Sequence, residues 1–215
     1  YFDSIFCSCL FRLAIVYVSR SILWQRKLCI RDESRTILRR TDKLLPGAPF
    51  PDITATLPSG EEVSLATPTG DADWKLVLVY RGRHCPICTN YLNALESYLD
   101  ELKQTGVDVI AVSGDSPRQL AAHMTKLSVS FPIAHSLSEQ NMKQLGLYIS
   151  QPRSEQETDH NFAEPGLFVI NQEGNLHVVD ISNNPFVRPE LSRLVAGLKW
   201  IRNPDNNYPI RGTFN

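Results

Sequence analysis

Net charge is almost absent from this chain. Twenty-two Lys and Arg stand against twenty-three Asp and Glu, a formal balance of −1. Bulk electrostatics therefore supplies no field to draw a nucleic acid or a membrane surface, and neither partner is expected. Long apolar runs are missing too. Residues 5–18 form an apolar stretch interrupted by Cys7, Ser8, Cys9, Arg12 and Tyr17. It spans about fourteen residues, short of the roughly twenty a membrane-crossing helix needs. Cysteine is scarce: Cys7, Cys9, Cys29, Cys85 and Cys88. Five unevenly placed thiols do not make the disulfide framework of a small secreted domain. The sequence also lacks a second Cys-x-x-Cys and any His-x(3–5)-His. A four-ligand structural zinc site thus has no second half. There is no internal repeat.

What is present is unevenly distributed. Residues 1–43 carry nine Lys and Arg against four Asp and Glu, a balance of +5, and residues 44–215 carry thirteen against nineteen, a balance of −6. A basic extension ahead of a mildly acidic body implies two regions with different duties. Residues 1–43 read as a targeting segment, a membrane-edge anchor or sequence without structural role, with a short basic amphipathic helix over 23–40. Residues 44–203 are expected to form one domain, followed by a polar tail over 204–215.

The body opens on a proline-rich extended segment, 45–51, followed by a hairpin over 52–57 and 62–65 around Pro58-Ser59-Gly60. The continuous apolar run 76–80 predicts a central strand buried on both faces. After a short turn, Ile87, Tyr91, Leu92, Leu95, Tyr98, Leu99 and Leu102 recur at helical spacing until Gly106 ends the run. A strand over 107–112, a helix from Ser116-Pro117 to about Leu127, a short strand over 131–134 and a helix over 138–145 follow. Residues 150–164 read as a polar loop. A second hairpin, 167–170 and 176–181, precedes a last helix over 189–201. Alternating strands and helices make this an α/β domain, with a mixed central sheet flanked by helices and an N-terminal β-hairpin.

Chemistry concentrates at Cys85-Pro86-Ile87-Cys88, where the buried strand hands over to a helix. A helix N-terminus presents unpaired N–H groups and partial positive charge, which favour a thiolate over a thiol. Cys85 falls at the helix start and Cys88 about one turn in, within reach of the first sulfur. Pro86 in the first turn removes no helical hydrogen bond. Arg81, Arg83 and His84 precede the pair and add positive charge. Cys85 is thus the expected nucleophile and Cys88 the resolving thiol. No acid lies within 76–80 to move protons, which leaves water or His84 for that task. His160, in the polar loop, is a weaker candidate for approaching the site. His123, His135 and His177 read as structural or exposed, Trp74 as a packing residue, and Asp115 as a helix cap.

The stretch Val77-Leu78-Val79-Tyr80-Arg81-Gly82-Arg83-His84-Cys85-Pro86-Ile87-Cys88 resembles the active-site segment of peroxiredoxin-like proteins. These are the alkyl hydroperoxide reductase and thiol-specific antioxidant group of the thioredoxin superfamily. Likeness runs from Leu45 into the tail, including Tyr208-Pro209-Ile210-Arg211-Gly212, over roughly 170 residues. The resemblance implies a thioredoxin-like fold and an antioxidant thiol oxidoreductase acting on hydroperoxides or disulfides. It implies no cofactor, and a reset by an external thiol reductant of the thioredoxin, glutaredoxin or glutathione type. It also implies that Pro165, just ahead of a strand, is the cis-proline that packs beside the active cysteines in this superfamily. Leu78 and Gly82 stand where the family typically carries Pro and Thr, and Pro165 stands where it usually carries Arg. Peroxide and disulfide therefore both stay open as the oxidant, with Arg81 or Arg83 as a substitute cation. A non-catalytic module that senses redox state, or binds a metal or a partner, is the alternative. A cycling pair suits a cytoplasmic or organellar compartment better than secretion.

Overall fold

The computed structural model describes residues 44–214; the basic extension and its expected amphipathic helix lie outside the described residues. Strands β1 (Thr54–Thr56) and β2 (Glu62–Ser64) pair as the first hairpin, and β3 (Trp74–Val79) follows. Helices α1 (Pro86–Glu96) and α2 (Leu99–Gln104) lead to β4 (Val107–Val112), α3 (Pro117–Met124), β5 (Ile133–Ala134) and α4 (Glu139–Gln144). A two-stranded pair, β6 (Ile149–Ser150) with β7 (Phe162–Ala163), precedes β8 (Gly166–Ile170), β9 (Leu176–Ile181) and α5 (Leu191–Arg202).

The main sheet runs β5-β4-β3-β8-β9. Its first three strands are parallel, and β8 and β9 close it antiparallel. All six residues of β3 are buried, because strand alternation sends successive side chains into two separate cores. Trp74, Leu76 and Leu78 join Val109, Ala111 and Val169 beneath Leu92, Leu95, Leu102, Leu120 and Val195 of the helices. Val77 and Val79 join Ile110, Val112, Phe168 and Ile170 against Phe50, Ile53 and Leu65 from the lead-in and hairpin, with Met142 of α4. Each face is covered, so the strand reads as apolar without a break from Leu76 to Val79.

Lys75 is the exception on β3. Its ammonium is buried and lies 2.5 Å from Asp108, its register partner on β4. Asp108 also accepts the N–H and hydroxyl of Thr69, each at 2.8 Å. Burial alone would raise the Asp108 carboxyl, but the bonds from Lys75 and Thr69 outweigh it and hold the group below the usual carboxylate range.

Three elements differ from the sequence expectation. The helical run after Cys85 is two helices, because the chain tightens at Ser97 and Tyr98, whose N–H groups donate to Ala94 and Leu95 carbonyls. Leu95, Leu99 and Leu102 all stay in the core across that bend, so their spacing hides it. The polar loop of 150–164 ends in β7, where Phe162 and Ala163 are buried; two residues are too few to carry a pattern. Helix α3 stops at Met124 rather than near Leu127.

Asp108→Ala strands the Lys75 ammonium without a counter-charge and should lower the unfolding free energy by about 3 kcal/mol. Adding Lys75→Met should recover most of that loss by replacing the charge with apolar volume. Denaturant titration of the parent, single and double variants measures both, and an unchanged midpoint for Asp108→Ala would show that the pair contributes nothing.

Candidate active site

The connection from β3 into α1 is shaped by a buried acid. Gly82 has φ of 122°, and a Cβ there would lie 2.5 Å from Asp115 Oδ1. Only glycine tolerates both the conformation and the approach. Asp115 is 1% exposed, and its Oδ2 accepts the Arg83 N–H at 2.8 Å. Burial pushes its carboxyl up, against the Arg83 N–H and a Ser113 hydrogen bond. The turn then closes as the Cys85 N–H donates to the Gly82 carbonyl at 3.1 Å. Asp115 is therefore a clamp on the turn that leads into Cys85, not the expected helix cap; Ser116, the next residue, caps α3 in a capping box with Gln119.

Cys85 is the N-cap of α1, and Pro86 opens the first turn as expected. The Cys85 sulfur accepts the Cys88 N–H at 3.3 Å. Both residues are free thiols, 2% and 0% exposed. Their acidities diverge. A hydrogen bond from the Cys88 thiol, then the Cys88 N–H and the charges of Arg188 and Arg81, bring Cys85 down to about 6 against the opposing effect of burial. Burial, together with donation to Cys85, pushes the Cys88 thiol up. Cys85 lines a cleft of about 420 Å³ with Arg81, His84, Ile87, Glu157, Glu164 and Phe186, so its low exposure does not seal it in the core.

The structure brings together only part of the expected supporting set. Arg81 lines the cleft, but its guanidinium lies 4.5 Å over the Phe162 ring, 3.5 Å from Glu157 and 3.4 Å from Glu164. Arg83 does not line it; its backbone binds Asp115, and it borders a separate hollow with Arg118 and Gln119. His84 packs on Phe162 at 4.5 Å. Burial, and next the Arg81 charge, lower it to about 4, so at neutral pH it adds no positive charge beside the thiolate. Pro165 also departs from the expectation. The described residues contain no cis peptide bond, and the Pro165 carbonyl accepts the Ser182 N–H at 3.0 Å, extending the β8–β9 ladder. Its neighbour Glu164, not Pro165, lines the cleft. His160 lies 2.9 Å from Asp159 and 3.9 Å from Asp115, outside the cleft.

Sequence reasoning missed Arg188. Its Nη2 donates to Cys88 Sγ at 2.9 Å, from the loop between β9 and α5. The guanidinium lies 5.1 Å from the Tyr91 ring, and the Tyr91 hydroxyl donates to the Pro189 carbonyl at 2.8 Å. A lone arginine a hundred residues from the pair gives no local signal. A buried polar chain behind α1 was also missed. Thr89 Oγ1 lies 2.9 Å from His123 Nε2, and His123 Nδ1 lies 3.5 Å from the Tyr80 hydroxyl. Burial lowers His123 to about 4 and raises Tyr80. Trp74 is the packing residue it was expected to be. Among the described residues no group of three or more His, Cys, Asp or Glu is arranged to hold a metal ion. No described helix is long and apolar enough to cross a membrane.

Known proteins resemble this chain in sequence and in fold. Peroxiredoxin Bcp of Escherichia coli K12 is 33% identical over 89 residues, which cover 41% of this chain and 56% of that protein. The match thus spans about half the length of the curated relative. A peroxiredoxin-like protein from Aquifex aeolicus superposes with a TM-score of 0.61 at 17% identity, over 73% of this chain and 87% of that one. A cysteine-to-serine variant of peroxiredoxin 6 from Arenicola marina does so with a TM-score of 0.62 at 16% identity, over 75% of each chain. These superpositions show the thioredoxin-like peroxiredoxin fold. The AhpC/TSA family profile matches residues 46–179, from the lead-in through most of β9. With the strand, the turn and the cysteine pair all inside that segment, the chain belongs to the AhpC/TSA family.

Proposed function

We propose that this protein is a thiol-dependent oxidoreductase that reduces hydroperoxides, with Cys85 as nucleophile and Cys88 as resolving thiol. The observation that carries this reading is the Cys85 sulfur at the start of α1, accepting the Cys88 N–H and lining an open cleft. In the first step the Cys85 thiolate attacks one peroxide oxygen. The O–O bond breaks, Cys85 becomes a sulfenic acid, and the departing alkoxide takes a proton to leave as alcohol or water. In the second, the Cys88 sulfur attacks Cys85, the S–O bond breaks, and the hydroxyl leaves as water with the proton Cys88 gives up. The Cys85–Cys88 disulfide is then reduced by an external thiol of the thioredoxin, glutaredoxin or glutathione type. Residues 44–203 form the catalytic domain in this reading.

A second reading, disulfide exchange at the same pair, is favoured by the state of Arg81. The guanidinium is held between Glu157 and Glu164, whose carboxylates offset its field at a peroxide oxygen. Exchange needs only the thiolate and a leaving sulfur.

Rapid mixing of the reduced protein with hydrogen peroxide, and separately with a small-molecule disulfide, tests both readings. Fast loss of both thiols to peroxide is the expected result; slow loss with rapid reduction of the disulfide would replace the first reading by the second. Cys85→Ser should lower turnover by at least about a thousandfold. Cys88→Ser should allow one attack and stop at the Cys85 adduct. Cys85→Ser with the parental rate would remove Cys85 as nucleophile.

The attacking form is the anion, so the first step should weaken as pH falls through the Cys85 value of about 6 and be level well above it. A rate that still climbs around the ordinary thiol value of about 8.5 would show that the cap does not stabilise the thiolate.

A further inference from the structure

The oxidoreductase reading leaves the second step without a driving group. Cys88 is 0% exposed, and a thiol in that setting does not readily become the anion that must attack Cys85. Cys85, Tyr80 and Arg188 are the ionisable groups that bear on it, with the Arg81 backbone N–H as a further donor. Only Arg188 brings a cation, with Nη2 at 2.9 Å from Cys88 Sγ. Its Nε and Nη1 are buried and have no hydrogen-bond partner among the described residues. Asp180 and Glu190 bear on the neighbouring Tyr91 phenol, but neither forms an ion pair with Arg188 among the described residues.

The contrast with Arg81 is informative, because Arg81 has two carboxylates and Arg188 has a sulfur. A guanidinium without a carboxylate at a desolvated site is compensated best when that sulfur carries charge. The Tyr91 face and the Tyr91–Pro189 hydrogen bond hold the arginine in place. Arg188 also lies beyond residues 46–179, where the family match ends.

Resting on the oxidoreductase reading, we propose that Arg188 is a catalytic residue for resolution. Its guanidinium stabilises the Cys88 thiolate as that sulfur bonds to Cys85 and displaces hydroxide, or a thiolate in the exchange reading. The Cys88 proton passes to the leaving group, so a dithiol and a hydroperoxide give a disulfide, an alcohol and water. Arg188 affects the first step less, since it touches Cys88 and reaches Cys85 only through its field.

The test is a single-turnover quench of the full chain with peroxide, and in parallel with a small-molecule disulfide. Site-resolved mass spectrometry separates the Cys85 sulfenic acid or mixed disulfide from the Cys85–Cys88 disulfide. In Arg188→Met the first adduct should form within about threefold of the parental rate, while its resolution slows at least about tenfold, the effect of one pKa unit on thiolate fraction. The deficit should hold at a constant ratio wherever the Cys88 thiol stays protonated, and Arg188→Lys should recover part of the rate by restoring a cation. Parental resolution rates in Arg188→Met across the pH range would overturn the proposal and leave the oxidoreductase intact. Equal loss in both steps, without rescue by Lys, would also overturn it, by showing a packing role only. A parent that forms no Cys85 adduct with either oxidant would overturn the oxidoreductase reading itself, and this proposal with it.

Discussion

The site rests on one contact: the Cys88 N–H donating to the Cys85 sulfur at the start of α1. A cap is usually an oxygen, placed there because the first N–H groups of a helix have no partner inside it. Here the cap is a sulfur, the one proposed as nucleophile. The Cys88 thiol lowers Cys85 most, and the N–H that starts the helix adds to it, so one helical turn both caps the helix and acidifies the thiol. It further separates the two cysteines in acidity. Cys85 receives hydrogen bonds at the rim of a cleft, whereas Cys88 donates from the interior. Two thiols three residues apart are thereby made unequal by position alone.

That contact requires the preceding turn to arrive at one place, and two constraints deliver it. The first is β3, held between two apolar cores and by ladders on either side. Its end is as fixed as any point in the domain. The second is Asp115, whose buried carboxylate takes the Arg83 N–H and closes on Gly82 so tightly that no side chain fits. The acid belongs to the segment after β4, the parallel neighbour of β3. Sheet pairing therefore sets the distance between clamp and turn, and the turn sets the helix start. Gly82 stands where the resemblance leads one to expect threonine, and the close approach of Asp115 gives this departure a physical cause.

The fold was legible from the sequence where signals are local. The apolar run of β3 and the strand–Cys-x-x-Cys–helix order lie within twenty residues, and Pro86 sits where a first turn accepts it. The cysteine pair needed no tertiary information. What stayed hidden depends on approach in space. Arg83 and His84 looked like part of a positive approach to the thiol. The turn sends one outward and packs the other, neutral, on Phe162. His123 read as structural or exposed, and it is buried in a hydrogen-bonded chain with Thr89 and Tyr80. Glu157 and Glu164 looked like ordinary members of a polar loop, yet they frame the cleft. The resemblance to the thioredoxin superfamily implied a cis-proline at Pro165, just ahead of a strand. A trans proline whose carbonyl extends the ladder serves that position equally well.

Arg81 and Arg188 show why residue type alone did not find the chemistry. Both guanidinium groups lie about 5 Å or less from an aromatic ring, and both act on the cysteine pair through their charge. Arg81 adjoins the motif in sequence, but two carboxylates compensate it, and it serves the cleft wall. Arg188 is remote in sequence and meets a sulfur instead of a carboxylate. Charge near a thiol matters in proportion to what is left after its other partners are satisfied. The motif supplies the two sulfurs and the cap. The cation that can act on the buried sulfur comes from the loop after β9, which reaches α1 because β9 runs back along β8 at the edge of the sheet.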